Sequence, residues 1–397
     1  MSNLPNKILI IDDDVTVAGA IKEPLEKQHE IKVLAANELE TGMYMFNQNR
    51  FDVVLVEANF EPNPGLVIIQ KWRKHEVEEK RQTGFILMVD QKWSSNQEKL
   101  QKELRDIEVI MKPFTIIQLL PVLARAKANK LRNMKYNELR ENALALTRHN
   151  KLDKAMESIK KQLPELGSRG LEMMAEMYED QKKYDQALEV VDKLVATDKE
   201  NITFLNMKGK ILLKLGKAEE ALKIMEQADK SAAGNIERIN NMIMGYLHMN
   251  EPDKSIAKMK ELIKFSPEDP EVKFDMFAKL HEFGFDKHAE NFCRETTAPL
   301  EVIRHFNNKG VALARGGKVR EAILEYERSL RYYPTFKENY RIYYNIALAH
   351  ATLKTRGSLE AALAEIEKCL QMKPGFDKAV KTRETILGIL GKGNKAG

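Results

Sequence analysis

Cysteine is scarce in this sequence of 397 residues. Cys293 and Cys369 are its only cysteines, and neither belongs to a CxxC pair. A disulfide framework needs several paired cysteines, and a cysteine-based zinc site needs clustered thiolates. Both are excluded, and we expect the two thiols to be small, buried side chains.

Long apolar runs are also missing. No stretch approaches the ~18 consecutive apolar residues of a membrane-spanning helix. The first residues, MSNLPNKILIIDDD, lack the charged, apolar and small-residue segments of a secretion signal. We therefore expect a cytoplasmic protein with no membrane insertion.

The sequence contains none of the short motifs that mark common enzyme sites. It has no GxxxxGK[ST] phosphate loop, no HExxH metal helix and no GxSxG nucleophile elbow. We accordingly predict no catalytic residue and no enzyme activity.

Neither sign of charge dominates. The chain has 64 basic and 59 acidic residues, which leaves a net charge of +5. A dedicated nucleic-acid binder concentrates positive charge more strongly, so a nucleic-acid partner is not expected.

What is present divides the sequence into two parts. Up to about residue 135, five short apolar runs alternate with amphipathic stretches of helical period, and all five look buried on both faces. The runs are KILIID, IKVLAA, DVVLVE, FILMVD and IEVIM, which begin at Lys7, Ile31, Asp52, Phe85 and Ile107. Strands that alternate with helices predict an α/β, flavodoxin-like fold with a five-stranded parallel sheet. Its site should lie at the carboxyl ends of the strands.

From about residue 136 a helical pattern with a fixed period replaces the strands. One small residue in the second helix of each unit marks the period, which is about 34 residues. These markers are Ala155, Ala187, Ala221, Ser255, Ala289, Ala322 and Ala362. A small residue is needed where two helices cross closely, and Gly209 and Gly310 are expected to serve the same purpose on first helices.

These helical units resemble the tetratricopeptide repeat, whose unit is a pair of helices with small residues at the crossing. The resemblance implies an all-α solenoid. We predict a first domain with its junction over residues 1–135, about seven repeats over 136–376, and a capping helix with a disordered tail over 377–397.

The first part resembles the receiver domain of two-component response regulators. That family has an acidic pair after the first strand, a phosphate-accepting aspartate at the end of the third, a hydroxyl residue after the fourth and a lysine after the fifth. Asp12 and Asp13 match the acidic pair, and Lys112 matches the lysine. Glu57 stands at the acceptor position and Asp90 at the hydroxyl position, so the resemblance implies a degenerate receiver site, a pseudo-receiver.

Glutamate at the acceptor position predicts weak phosphate chemistry. Its carboxylate is displaced by one methylene, and a misplacement of about 1 Å can cost about a hundredfold in rate. Three interpretations stay open: a fixed, active-like switch in which Lys112 pairs with Glu57, a site that drifted after losing its use, and a site that still accepts phosphate weakly. In the last case Asp12 and Asp13 would bind Mg²⁺, and no other cofactor is predicted.

The repeats predict a binding surface. Stacked helix pairs form a superhelix whose first helices line a groove that commonly binds peptides. Asparagines recur there near the repeat period, either to bond a partner's backbone or to make local helix contacts. Arginines and tyrosines near residues 304–344 are typical of protein interfaces. The predicted groove residues are Asn206, Asn240, Asn307, Asn345, Arg304 and Arg341.

Together these features predict a non-catalytic signalling adaptor or scaffold. It would bind protein partners through the repeat groove, while the pseudo-receiver mediates regulation or docking, with its fourth and fifth helices available for a second partner or a homodimer. The main alternative is a phosphorylation-responsive regulator whose output is the repeats, and a third is RNA binding through the basic helices. The resemblance to two-component phosphorelay proteins implies a bacterial origin.

Overall fold

The computed structural model describes residues 3–60, 64–90, 93–265 and 269–393, with side chains as far as residue 391. Two compact units divide the chain, residues 1–266 and 267–397. Within the described ranges, no helix combines the length and apolar character needed to cross a membrane.

The first unit begins with a five-stranded parallel sheet in the order β2-β1-β3-β4-β5. Its strands are β1 (Lys7–Ile11), β2 (Lys32–Ala36), β3 (Val53–Glu57), β4 (Gly84–Val89) and β5 (Ile107–Met111). Its helices are α1 (Val15–His29), α2 (Leu39–Gln48), α3 (Gly65–Trp72), the short α4 (Glu78–Arg81) and α5 (Ser95–Leu104). The predicted fold class is confirmed.

The depth of burial differs among the strands. Every residue of β3 and β4 is buried, whereas β2 and β5 each keep an exposed residue, Lys32 and Met111. The expectation of five fully buried strands is therefore wrong for the two edges. An edge strand has a neighbour on one side only, so fewer side chains cover it.

Helix α6 (Ile116–Arg148) joins the sheet to the following helices without a break. It starts with a capping box: the Thr115 hydroxyl accepts from the Gln118 amide, and the Gln118 side chain accepts from the Thr115 N–H. The helix continues through Pro121. The boundary predicted between residues 135 and 136 thus lies inside one helix.

Helices in packed pairs make up the rest of the first unit and the whole of the second, as far as the structure describes them. In the first unit they are α7 (Leu152–Leu166), α8 (Ser168–Asp180), α9 (Tyr184–Thr197), α10 (Ile202–Lys214), α11 (Ala218–Ser231), α12 (Ile236–His248) and α13 (Pro252–Lys264). In the second they are α14 (Pro270–Glu282), α15 (Asp286–Thr296), α16 (Pro299–Arg315), α17 (Val319–Tyr332), a 3-10 turn (Lys337–Asn339), α18 (Tyr340–Thr352), α19 (Arg356–Met372) and α20 (Asp377–Gly393).

Close helix crossings explain the small residues of the repeat pattern. All seven predicted marker positions, from Ala155 to Ala362, are fully buried. A Cβ at Gly209 would lie 2.7 Å from the terminal methyl of Met225, and one at Gly310 would overlap the ring of Tyr326. A side chain at either glycine would therefore displace Met225 or Tyr326, or push the paired helices apart.

The last helix and the two cysteines can be compared with their predictions. The capping helix predicted within residues 377–397 is α20, which continues to Gly393, and the rest of the predicted disordered tail, residues 394–397, lies outside the described part. Cys293 and Cys369 are buried as expected, and burial raises the pKa of the Cys293 thiol to about 12.

Candidate functional site

The carboxyl ends of β1, β3 and β5 bring three charged side chains together. Asp12 is fully buried and Glu57 is 5% exposed. Lys112 Nζ lies 3.0 Å from Asp12 Oδ2 and forms a second ion pair with Glu57 Oε2. We call Asp12, Glu57 and Lys112 the sheet-edge cluster. Its lysine lies between both carboxylates.

The remaining oxygens of the sheet-edge cluster accept backbone hydrogen bonds. Asp12 Oδ1 accepts from the Asp14 N–H at 3.0 Å, and Glu57 Oε1 accepts from the Asn59 N–H at 3.0 Å. Burial raises the pKa of Asp12 although Lys112 opposes the shift. Burial acts to lower the pKa of Lys112, but the hydrogen bonds to Glu57 and Asp12 outweigh it and the pKa is raised. Lys112 therefore stays charged at neutral pH.

The described side chains do not form a ready magnesium site. Lys112 occupies the space between the carboxylates that a cation would need, and Asp13, the other predicted ligand, is exposed. No group of three or more acidic, thiol or imidazole side chains in the described ranges is placed to hold a metal ion.

A short chain of hydrogen bonds connects the sheet edge to α5. Asn59 Nδ2 donates to Asp90 Oδ1 at 3.1 Å, and Gln97 Nε2 donates to Asn59 Oδ1 at 3.3 Å. Since the Asn59 backbone also donates to Glu57, the predicted acceptor and hydroxyl positions both reach the start of α5 through one asparagine.

The end of α5 contacts the helical pairs of the same unit. Glu103 and Arg238 have side chains that are 2% and 0% exposed, and Arg238 Nη1 lies 2.8 Å from Glu103 Oε1. Asn235 Nδ2 donates to the same oxygen at 2.6 Å, and Asn206 Nδ2 also donates to it. We call Glu103, Arg238, Asn206 and Asn235 the groove cluster.

Local structure places the donors of the groove cluster. Asn235 caps α12 by accepting from the Arg238 N–H at 3.0 Å, which sets Arg238 in the first turn. Arg238 also donates from Nε to Asp229 Oδ1 at 3.2 Å. Burial raises the pKa of Glu103 against the opposing effect of Arg238 and the two amides. Glu103 Oε2 is buried and accepts no hydrogen bond from any described residue.

Further contacts surround the groove cluster. Gln70 pairs with the backbone ahead of α12, donating to Gly234 O at 3.1 Å and accepting from the Ile236 N–H at 2.9 Å. Arg105 Nη1 reaches both oxygens of Glu172 at 2.8 and 2.9 Å. The α5 face, where a second partner or a homodimer was expected, is thus partly covered by the chain's own helices.

The predicted groove asparagines make different kinds of contact within the chain. Asn206 is bonded to Glu103, and Asn240 Nδ2 donates to Ile236 O at 2.9 Å, a contact within its own helix. In the second unit, Asn345 Nδ2 donates to Asn307 Oδ1 at 2.6 Å and so connects α18 to α16.

The predicted basic and aromatic residues of the second unit also separate into two groups. Arg304 and Arg341 are exposed, and Arg341 pairs with Glu338 at 2.9 Å. Tyr332 and Tyr340 are core residues.

Sequence reasoning missed Glu103, Arg238 and Asn235. The stretch around Glu103 is a charged, amphipathic helix, and nothing in it marks one glutamate as buried. The Asn-x-x-Arg spacing ahead of α12 indicates a helix cap but not the carboxylate that the arginine meets.

Comparison with known families agrees with this geometry. Residues 8–124 match the response regulator receiver domain. Residues 169–287 match the model described as Psidin, N-terminal TPR repeats region, and residues 307–375 match the tetratricopeptide repeat. The chain thus contains a response regulator receiver domain at residues 8–124, followed by tetratricopeptide repeats. No model of an enzyme family is among these three matches.

Individual relatives resemble one part or the other. Hsp70-Hsp90 organizing protein 3 of Arabidopsis thaliana is 24% identical over 54% of this chain, and the chain spans only 38% of that protein. A tetratricopeptide repeat protein of Parabacteroides merdae covers 64% of the chain and 99% of its own length at 14% identity, with a TM-score of 0.35. The chemotaxis protein CheY4 of Vibrio cholerae covers 30% and 97% at 20% identity, with a TM-score of 0.28.

Proposed function

We propose that this protein is a non-catalytic adaptor, which binds a partner protein through its repeats while its receiver domain is held in one fixed state. The observation that carries the proposal is the position of Lys112 between Asp12 and Glu57. A phosphoryl group brings about two negative charges. At this site it would meet two carboxylates that share a single cation, Lys112, so its added negative charge would not be balanced.

Docking of the receiver domain supports the same function. The groove cluster joins α5 to α10 and α12 through a buried ion pair and hydrogen bonds. The receiver domain therefore covers the surface of α10 and α12 that a partner could otherwise bind. In this reading the receiver domain is a fixed part of the adaptor, and the partner surface lies on the repeats of the second unit.

The second unit offers a surface with suitable chemistry. A cavity of about 230 Å³ lies against α14, α16 and α17, with Phe274, His305 and Phe306 among its walls and Lys309 beside them. This volume is below the roughly 300–1,000 Å³ of most small-molecule sites and suits one side chain of a partner. Arg304 on α16 and Arg341 on α18 do not line this cavity but are exposed, and their positive charge favours an acidic protein segment.

The phosphate question is tested by labelling the full-length protein with radiolabelled acetyl phosphate and Mg²⁺. We expect no label on the natural protein and none on Glu57→Ala. Label that appears on the natural protein and disappears in Glu57→Ala would replace the fixed adaptor with a phosphorylation-responsive regulator.

The partner surface is tested by affinity capture from a native lysate with the full-length protein. The double variant Arg304→Glu, Arg341→Glu should lose the captured partner. The control variant Arg356→Glu should retain it, because Arg356 is an exposed arginine on a different helix, α19. Equal capture by all three proteins would move the partner surface away from α16 and α18.

A further inference from the structure

A cleft lies between the receiver domain and the first repeats of the same unit. Its volume is about 570 Å³, within the roughly 300–1,000 Å³ of small-molecule sites. The walls are α4 and the end of α3, the turn between α5 and β5, the start of α8 and one side of α6. Along α6 the lining residues follow the helical spacing, from Asn133 and Asn137 to Leu144 and Arg148.

The basic residues of the cleft are of one kind. Lysine is the more common base in this chain, yet every base that lines the cleft is an arginine. They are Arg73, Arg81, Arg105, Arg140, Arg148 and Arg169. Because a guanidinium is a planar fork of five donors, it matches the oxygens of a phosphate two at a time, which an ammonium cannot do.

Three of these arginines are balanced by carboxylates of the chain itself. Arg105 pairs with Glu172 at 2.8 Å, Arg169 pairs with Asp106, and Arg140 donates from Nε to Glu176 at 2.6 Å. These pairs shape the walls of the cleft and contribute little net charge.

The other three arginines are not paired in this way, although Glu78 and Glu141 also line the cleft. Among the described residues, Arg73, Arg81 and Arg148 form no ion pair with a carboxylate. Arg73 donates to the backbone oxygens of Leu104 and Arg105, and Arg81 Nη1 donates to His75 O at 3.2 Å. Burial lowers the pKa of Arg73 to about 10, partly offset by Asp106. A bound anion would reverse that shift.

We propose that this cleft is a binding site for a phosphate-bearing small molecule of nucleotide size. Six arginines and four carboxylates line the cleft, and the guanidinium groups that form no ion pair with a described carboxylate include Arg81 from α4 and Arg148 from the end of α6. A ligand with two or more phosphate charges would be held between them, while the side-chain amides of Asn133 and Asn137 on α6 offer neutral donors. This site is independent of the partner surface on the repeats.

The test is isothermal titration of the full-length protein at low salt with two probes, inorganic pyrophosphate and ADP. We expect at least one of them to bind with a dissociation constant below about 1 mM. Tighter binding of ADP would identify a nucleotide as the ligand class, and equal binding would identify the phosphate groups alone. No heat from either probe would overturn the proposal.

Variants locate the site. Arg81→Gln with Arg148→Gln should weaken binding at least about tenfold, since the charge-assisted hydrogen bonds of two cations to the anion are lost. Arg315→Gln with Arg320→Gln, two exposed arginines outside the cleft, should leave it unchanged. The single variant Arg148→Gln is measured as well, because Arg148 is exposed and its substitution should not disturb folding if the double variant does. Unchanged affinity in both cleft variants would place the anion elsewhere.

Discussion

Lys112 and Arg238 both lie in the first unit, but they hold their carboxylates in different ways. Lys112 has a side chain that is 19% exposed and lies between two acids at the end of a sheet. Arg238 is fully enclosed, and two asparagines share its main carboxylate, Glu103. The first cluster joins strands of one domain. The second joins the receiver domain to the repeats, so its loss should affect the whole unit.

The largest effect is expected from Arg238→Ala. Removing one partner of a buried pair leaves the other charge without compensation and typically costs about 3–5 kcal/mol. Urea unfolding of the full-length protein, followed by circular dichroism, measures the loss. A cost below about 1 kcal/mol would show that the apolar contacts around α5 hold the receiver domain in place by themselves.

Lys112→Met should cost less, about 2–3 kcal/mol, because the sheet edge is partly open to water and the freed carboxylates can take up a proton. The variant should also bind Mg²⁺, since removing Lys112 leaves two carboxylates facing an empty place. Thermal unfolding with and without MgCl₂ checks both points. If Mg²⁺ stabilises the natural protein as much as the variant, Lys112 does not exclude the ion.

The groove cluster should also make the stability of the protein depend on pH, through Glu103. Burial raises the folded-state pKa of Glu103, so the folded protein binds a proton that the unfolded chain releases near pH 4.3. This contribution to stability is complete below the unfolded pKa and is lost as pH rises through the folded value. As pH rises from the unfolded to the folded pKa of Glu103, the free energy of unfolding of the natural protein should fall relative to that of Glu103→Gln. The expected fall is about 1.4 kcal/mol for each unit by which folding raises the pKa. Parallel stability curves for the two proteins would contradict a raised pKa.

The smallest effect is expected where an arginine faces solvent. Arg304→Ala in the second unit should change the free energy of unfolding by less than about 0.5 kcal/mol, because an exposed cation leaves no buried charge behind. It serves as the matched control for Arg238→Ala. A larger loss at Arg304 would mean that this residue has a structural role in the repeats.

The two clusters also differ in how far the sequence could predict them. Asp12, Glu57 and Lys112 each follow an apolar run at a strand end, and parallel strands bring their carboxyl ends to one edge. Their meeting was therefore predictable, as was the pairing of Lys112 with Glu57. The exposure of Asp13 and the bond from Asn59 to Asp90 were not, because loop conformation decides them.

Asn206 shows the opposite case. Its place in a first helix followed from the repeat period, but its hydrogen-bond partner is a residue of the receiver domain. Asn240, at nearly the same place in the next unit, bonds to its own helix. One periodic position thus has two roles, since the period sets which face a side chain occupies and not what lies against that face.

The sequence by itself determined the parallel sheet, the helix pairs and the small residues at their crossings, because each depends on a pattern that recurs within a few residues or within one repeat. Only the tertiary structure decided that Glu103 meets Arg238 and that arginines from α4 and α6 line one cleft. Glu103 and Arg238 are 135 residues apart, and no local periodicity relates them. Their contact depends on how α5 packs against α10 and α12. Because both charges are buried there, removing either one leaves the other without a partner and lowers the stability of the unit.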